Sequence, residues 1–352
     1  MDLHGGNIYR LKREGKGELL DYSSNINPLG VPESFKKAII ENFDILEKYP
    51  DPDYIELREN IGRYNKVDVK NIIAGNGATE ILFLYMKAMQ PKKTLIVSPS
   101  FAEYKRALES VGSEIIYYPL LEENNYNLDI ENFLKEVPQC DLVVICNPNN
   151  PTGSFISLEN IKKINDVLSE RGIKLFVDEA FIEFIRGWEK MTSVLLKDKN
   201  IFIMRALTKF FAVPGVRLGY GITYDEEIMK KMEKYKEPWS VNSFADIAGK
   251  IMLWDKEYIE ATENWIEEEK KWFYEESCKI KNIKIFKTNV NFILVKLLKK
   301  NSSAVRDEMI EKGVVVRDAS NFKFLNNQYV RLAIKSRENN IKVLQALKEV
   351  ME

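Results

Sequence analysis

A single histidine, His4, and three cysteines, Cys140, Cys146 and Cys278, are all that 352 residues offer to imidazole or thiolate chemistry. A serine–histidine–aspartate triad or a histidine metal site would have to use that one residue. An odd number of cysteines, at spacings unlike C-x-x-C, argues against structural zinc, iron–sulfur clusters and a disulfide framework. The thiols read instead as small buried side chains, as in the apolar run ending at Cys146. No metal is expected. Acid–base work must then fall to lysine, carboxylate or tyrosine, or to a cofactor.

Net charge is lacking too. Lysine and arginine number 52 and aspartate and glutamate 53, so no bulk attraction to nucleic acid or to an anionic membrane is implied. No run approaches the ~18 uninterrupted apolar residues of a membrane span. The opening Met1-Asp2-Leu3-His4-Gly5-Gly6-Asn7 lacks the basic-then-apolar pattern of a secretion signal, and a cytoplasmic location is expected. What remains is the composition of a globular protein, long enough for about two domains.

Between residues 70 and 222 short apolar runs alternate with amphipathic ones. Strands are predicted at 71–74, 94–97, 141–146, 173–177, 201–204 and 218–222, with helices such as 79–89 and 158–168 between them. The alternation predicts an α/β domain with a mostly parallel sheet flanked by helices. Farther on, Tyr258, Trp265 and Trp272, with Ile259, Ile266 and Phe273, give a long helix at 256–278 one apolar stripe, which is packing and not chemistry. Apolar runs at 291–297, 314–316 and 330–334 and a last helix from about 337 predict a smaller α+β domain. The expected division is an N-terminal arm (1–30), a large domain (31–245) and a small C-terminal domain (246–352).

In parallel sheets ligands gather beyond the carboxyl ends of the strands, and four of these ends carry unusual sequence. The first is Gly75-Asn76-Gly77-Ala78-Thr79-Glu80, entering a helix whose free amides suit a phosphate. Glu80 stands where a dinucleotide fingerprint has its last glycine, so a plain turn and cap is the competing reading. The second is Asn147-Pro148-Asn149-Asn150-Pro151-Thr152-Gly153, far longer than a tight reversal needs. The third closes an apolar run with Asp178-Glu179-Ala180, where a carboxylate is costly without a cation or donor, unless it caps a helix. The fourth places Thr208-Lys209 ahead of Val213-Pro214-Gly215-Val216-Arg217, an amine able to form an imine and a guanidinium able to hold a phosphate. Pyridoxal phosphate uses all four features: an amine for its aldehyde, cations and amides for its phosphate, and a carboxylate that keeps its ring nitrogen protonated.

In this order the segments resemble those of the fold type I pyridoxal-phosphate enzymes, in the aminotransferase class I/II branch that holds histidinol-phosphate aminotransferase and threonine-phosphate decarboxylase. The likeness runs from His4 to about Arg337. It implies Lys209 as the imine-forming lysine and proton carrier, and Asp178 as partner of the ring nitrogen. It further implies Asn150 as donor to the ring hydroxyl, Phe101 as the stacking group, and Gly77, Ala78, Thr208 and Arg217 as the phosphate cradle. Tyr49 would reach the phosphate from the partner subunit of a homodimer. Phe181 departs from the tyrosine that often assists the ring hydroxyl, leaving the ring phenolate less stabilised. Ala206 departs from a hydroxyl residue that often binds the phosphate.

Within the branch, His4-Gly5-Gly6-Asn7, the segment from Asp21 to Gly30, Trp239-Ser240-Val241-Asn242 and the segment from Arg317 to Phe322 resemble the decarboxylases, as does Phe181 itself. The resemblance implies decarboxylation of L-threonine O-3-phosphate for a cobalamin side chain. The alternative is transamination of histidinol phosphate in histidine biosynthesis, or a related aminotransferase reaction. Arg331 and Arg317 are the candidates for substrate anions because a planar guanidinium meets carboxylate or phosphate with two bonds, with Asn27 and His4 behind them. Two readings of other classes stand beside this one. A nicotinamide dehydrogenase leaves the segment from Thr208 to Arg217 without a use, and a non-catalytic cofactor-binding regulator leaves no room for a DNA-binding domain.

Overall fold

The computed structural model describes residues 5–352. In chain order its strands are β1 (Leu20–Asp21), β2 (Ile72–Asn76), β3 (Lys93–Ser98), β4 (Glu114–Pro119), β5 (Leu142–Cys146), β6 (Lys174–Asp178), β7 (Ile201–Ala206) and β8 (Leu218–Thr223). They continue with β9 (Ile283–Ile285), β10 (Phe292–Leu297), β11 (Val314–Val315), β12 (Arg317–Asp318) and β13 (Tyr329–Ala333). Among the described residues, a seven-stranded sheet has the order β2-β8-β7-β6-β5-β3-β4, a four-stranded sheet the order β12-β13-β10-β9, and β1 pairs with β11.

All pairs of the large sheet are parallel except those of β8, which runs against both β2 and β7. That reversal decides where chemistry collects. The carboxyl ends of β2 and β7 and the amino end of β8 meet at one edge, with Gly219 opposite both Gly75 and Ala206. The register also sets Cys146 beside Asp178 and Asp178 beside Met204 on the neighbouring strands. The central strands β5 to β8 are buried along almost their whole length, which matches their nearly unbroken apolar sequence. β4 was not among the sequence expectations. It is an edge strand, only partly buried, and ends in Pro119, so it lacks the continuous apolar run that marks its neighbours.

The helices begin where local hydrogen bonding permits. Ser157 accepts from Asn160 N to open Leu158–Glu170, and Asp255 accepts from Tyr258 N to open Lys256–Ser277. The stripe on the latter helix buries Ile266 and Phe273. At the expected border near 245, the helix Ser243–Ile251 packs on helices Glu33–Glu41 and Ile55–Asn65 of the large domain. The chain's first strand, in contrast, joins the last third through β1 and β11.

One acid ties the small sheet to the large domain. Glu122, just after β4, accepts from Lys284 of β9, Lys296 of β10 and the Tyr329 hydroxyl of β13. Burial pushes its carboxyl up, but these three donors overcome that and bring it down to about 2. Cys140 and Cys146 are buried as expected, whereas Cys278 is exposed at the end of its helix, beyond the buried stripe. No helix of the described residues is long and apolar enough to cross a membrane, and no group of them gathers three or more possible metal ligands from His, Cys, Asp and Glu.

Candidate active site

A cavity of about 470 Å³ opens at the carboxyl edge of the large sheet and is closed on one side by the small sheet. Ala78, Phe101, Asn150, Asp178, Thr208, Lys209, Arg217, Arg317 and Arg331 all line it, with the departures Phe181 and Ala206. Nine of the expected residues therefore meet, although they are scattered over most of the chain.

Asp178, the last residue of β6, is buried with both carboxylate oxygens held. Oδ1 accepts from the Ala180 amide at 2.9 Å and Oδ2 from the Tyr104 hydroxyl at 2.5 Å. The first contact is a local turn and not the helix cap that the sequence offered as the alternative; the second is tertiary. Burial raises the carboxyl to about 6, against the pull of these two donors. Lys209 is half-buried at the turn after β7 and its amine makes no hydrogen bond or ion pair among the described residues. Burial, then Arg217 and Arg331, bring that amine down to about 8, so an appreciable fraction is a neutral nucleophile near neutrality.

The phosphate side is shaped by glycines. Gly77 has φ +85°, and a Cβ there would lie 2.5 Å from Arg217 Nη2. A Cβ on Gly219 would lie 2.2 Å from the Ala78 amide nitrogen. The start of the helix Ala78–Met89 is thus brought against β8 and the Arg217 guanidinium, as a site of free amides plus one cation requires. The cap of the competing reading is not formed by a side chain: Gly77 stands at the N-cap, and Glu80 accepts from the Asn76 amide of β2 and from Ser240 Oγ. The turn leaves the first amides of the helix at the cavity.

Arg331, on β13, sits opposite Arg317 of β12. It is buried, donates to Asn150 Oδ1 at 2.5 Å and to the Ser23 carbonyl at 2.6 Å, and its Nε has no partner among the described residues. Burial and the neighbouring Arg317 lower its guanidinium to about 9, opposed by Asp21. A second guanidinium on the neighbouring strand, and an orphaned N–H, suit an anion between them. Arg317 also donates to Asn321 Oδ1.

Other expected residues are not brought to the cavity. Asn27 is a correction. Its Nδ2 donates to the Phe210 carbonyl and Thr262 Oγ1, its Oδ1 accepts from the Leu29 amide, and its own amide donates to the Lys209 carbonyl. With its side chain wholly engaged, it braces the Lys209 turn and does not face a substrate. Tyr49 is 81% exposed, meets the Trp239 ring at a tilt at 4.9 Å, and does not line this cavity. His4 lies outside the described residues.

Two groups of the site escaped the sequence, one behind the cavity wall and one on it. Tyr104 reads as part of an amphipathic helix start, and only the fold brings it to Asp178. Asn25 lines the cavity with a buried Oδ1 that accepts no hydrogen bond among the described residues. Its signal was the run Ser23-Ser24-Asn25-Ile26-Asn27, in which the neighbour was chosen.

The donor set fits pyridoxal phosphate: an unpaired amine, a buried carboxylate, a cradle of glycines and amides with a cation, and the flat ring of Phe101 on the wall. Comparison with known proteins agrees. The family described as aminotransferase class I and II matches residues 17–347. A protein of Caldanaerobacter subterraneus subsp. tengcongensis, provisionally named threonine-phosphate decarboxylase, is 42% identical over 99% of this chain and 94% of its own. The threonine-phosphate decarboxylase of Salmonella typhimurium is 36% identical over 99% of this chain and 96% of its own. The solved structure of the histidinol-phosphate aminotransferase from Clostridium acetobutylicum superposes with a TM-score of 0.89 at 39% identity, covering 95% of this chain and 99% of that one.

Proposed function

The chain belongs to the class I and II aminotransferase family of pyridoxal-phosphate enzymes, and we propose that it decarboxylates L-threonine O-3-phosphate. The observation that carries this reading is the register pair Arg317 and Arg331 on one wall of the cavity. Phosphothreonine brings two anions, a carboxylate and a phosphate, to be met by two guanidinium groups. Histidinol phosphate brings one. The two decarboxylase relatives, each matched over almost its whole length, support the same choice.

Pyridoxal phosphate, when bound, supplies an aldehyde that captures amines and a protonated ring that accepts an electron pair. Gly77, Ala78, Thr208 and Arg217 would hold its phosphate, Asn150 its ring hydroxyl, Asp178 its ring nitrogen and Phe101 its face. Lys209 would hold the aldehyde and, once free of it, is the amine placed to carry a proton at the substrate Cα. Arg317 and Arg331 would orient the substrate by holding its carboxylate and its phosphate. The net reaction would release carbon dioxide and put a proton from the Lys209 ammonium on Cα, giving aminopropanol phosphate. The small sheet and Phe181 keep bulk water from that proton.

The partner-facing role of Tyr49 belongs to the same proposal. Tyr49, Ile40, Phe43, Leu46 and Trp239 are all substantially exposed, an apolar surface suited to a second copy of the chain. Light scattering of the purified protein tests it, and a monomer of 40.9 kDa would exclude the shared site.

A second reading rests on the solved aminotransferase at 39% identity. One experiment separates the two. Cofactor-loaded protein is mixed with O-phospho-L-threonine and no keto acid, while carbon dioxide and cofactor absorbance are followed. Many turnovers with the aldehyde form retained support the decarboxylase. A single shift to the amine form, or turnover of histidinol phosphate with a keto acid, overturns it for the aminotransferase.

A further inference from the structure

Tyr104 is fully buried, and its ring meets Phe101 edge-on at 5.7 Å and Phe176 at 6.4 Å. We propose that Tyr104 is a positioning residue for Asp178, whose phenol keeps that carboxylate ionised and thereby keeps the proton on the ring nitrogen of the cofactor. The inference rests on the cofactor reading above but not on the substrate.

A carboxylate out of water is unstable unless donors replace the solvent. Asp178 has two, the Ala180 amide on one oxygen and the Tyr104 phenol on the other. Its remaining neighbours offer little help: Glu179 is a second acid, and the Cys146 thiol is itself held protonated by burial. When the ring nitrogen and Asp178 share one proton, each donor to the carboxylate favours the charged arrangement, with the proton on nitrogen. Removing the phenol leaves the backbone amide alone, so the proton moves toward the carboxylate. The ring, now closer to neutral, is a poorer acceptor for the pair released at Cα.

The tyrosine ring has a separate task. Its edge contact fixes Phe101, so one side chain sets both the aromatic face and the acid. Tyr104→Phe removes only the hydroxyl and keeps the ring.

The test uses holoenzyme loaded with pyridoxal phosphate carrying ¹⁵N in its ring, without substrate. In Tyr104→Phe the ring-nitrogen signal is expected to move from the protonated toward the neutral position. Turnover should fall about tenfold to a hundredfold, as loss of a hydrogen bond to a charged group costs. Tyr104→His, which restores a donor, should give a signal nearer the wild type than Tyr104→Phe does. In an Asp178→Asn background, Tyr104→Phe should cost nothing further. An unchanged nitrogen signal, identical signals from the His and Phe variants, or an equal loss in both backgrounds would overturn the proposal. Because the nitrogen signal needs no substrate, inertness toward phosphothreonine would count against the decarboxylase reading alone.

Discussion

Arg331 donates to Asn150 Oδ1 at 2.5 Å, joining the last strand of the small sheet to the turn that follows β5. The contact takes up the amide oxygen of Asn150 and leaves its Nδ2 without a partner among the described residues. A residue proposed to bind substrate is thereby in hydrogen-bond contact with one proposed to bind the cofactor.

Replacing that arginine should disturb both. Arg331→Lys keeps a cation but loses the fork, so it cannot hold Asn150, the Ser23 carbonyl and an anion together. We expect kcat/KM to fall by about a hundredfold, the scale of losing one to two charge-assisted hydrogen bonds. The absorbance titration of the bound cofactor should shift as well. Steady-state kinetics and a spectrophotometric pH series check both; a loss of turnover with an unaltered titration would detach Arg331 from the cofactor.

Gly77 tolerates neither a side chain nor its usual backbone. Gly77→Ala places a Cβ 2.5 Å from Arg217 Nη2 and forces a left-handed φ that costs on the order of 1–2 kcal/mol. Cofactor affinity should drop at least tenfold, measured by absorbance during dialysis, while the circular dichroism spectrum stays unchanged.

Asp178 makes the cofactor-free protein sensitive to pH. Its folded carboxyl titrates near 6, above the ordinary 3.8, so between these values the folded state binds a proton that the unfolded state lacks. Stability should fall as pH rises through that window, by about 2–3 kcal/mol in all. Thermal melts of cofactor-free wild type and Asp178→Asn, from pH 4 to 7.5, should diverge in this direction. Parallel curves would remove the effect.

Phe181 packs edge-on against Phe292 at 5.0 Å and offers no donor to the cavity. Phe181→Tyr should supply one to the ring hydroxyl and stabilise its phenolate. The expected outcome is a lower midpoint in the absorbance titration of the bound cofactor. An unchanged midpoint would show that the added hydroxyl does not reach the ring.

The legible residues share one property: each sits in turn chemistry at a strand end, where composition alone is unusual. Lys209, Asp178, Asn150 and Arg217, which line one cavity, are of this kind, and so the α/β domain and its candidate site could be read together. Tyr104 was not legible because its partner is 74 residues away and its own surroundings are those of any amphipathic helix. Asn27 misled for the opposite reason. It stands in a motif-like segment, but its amide is committed to Phe210 and Thr262, contacts that only the folded chain creates. β4 escaped because an edge strand needs no unbroken apolar run.

The pairing of β1 with β11 sets an order of events on the ribosome. Ser23 accepts a hydrogen bond from Arg331, 308 residues later in the chain. The first strand therefore emerges with an open edge and stays without its partner while every strand of the large sheet is made. Every group of this chain assigned to the cofactor precedes β8 and is made long before then. The wall proposed to choose the substrate is made only after every group proposed to hold the cofactor.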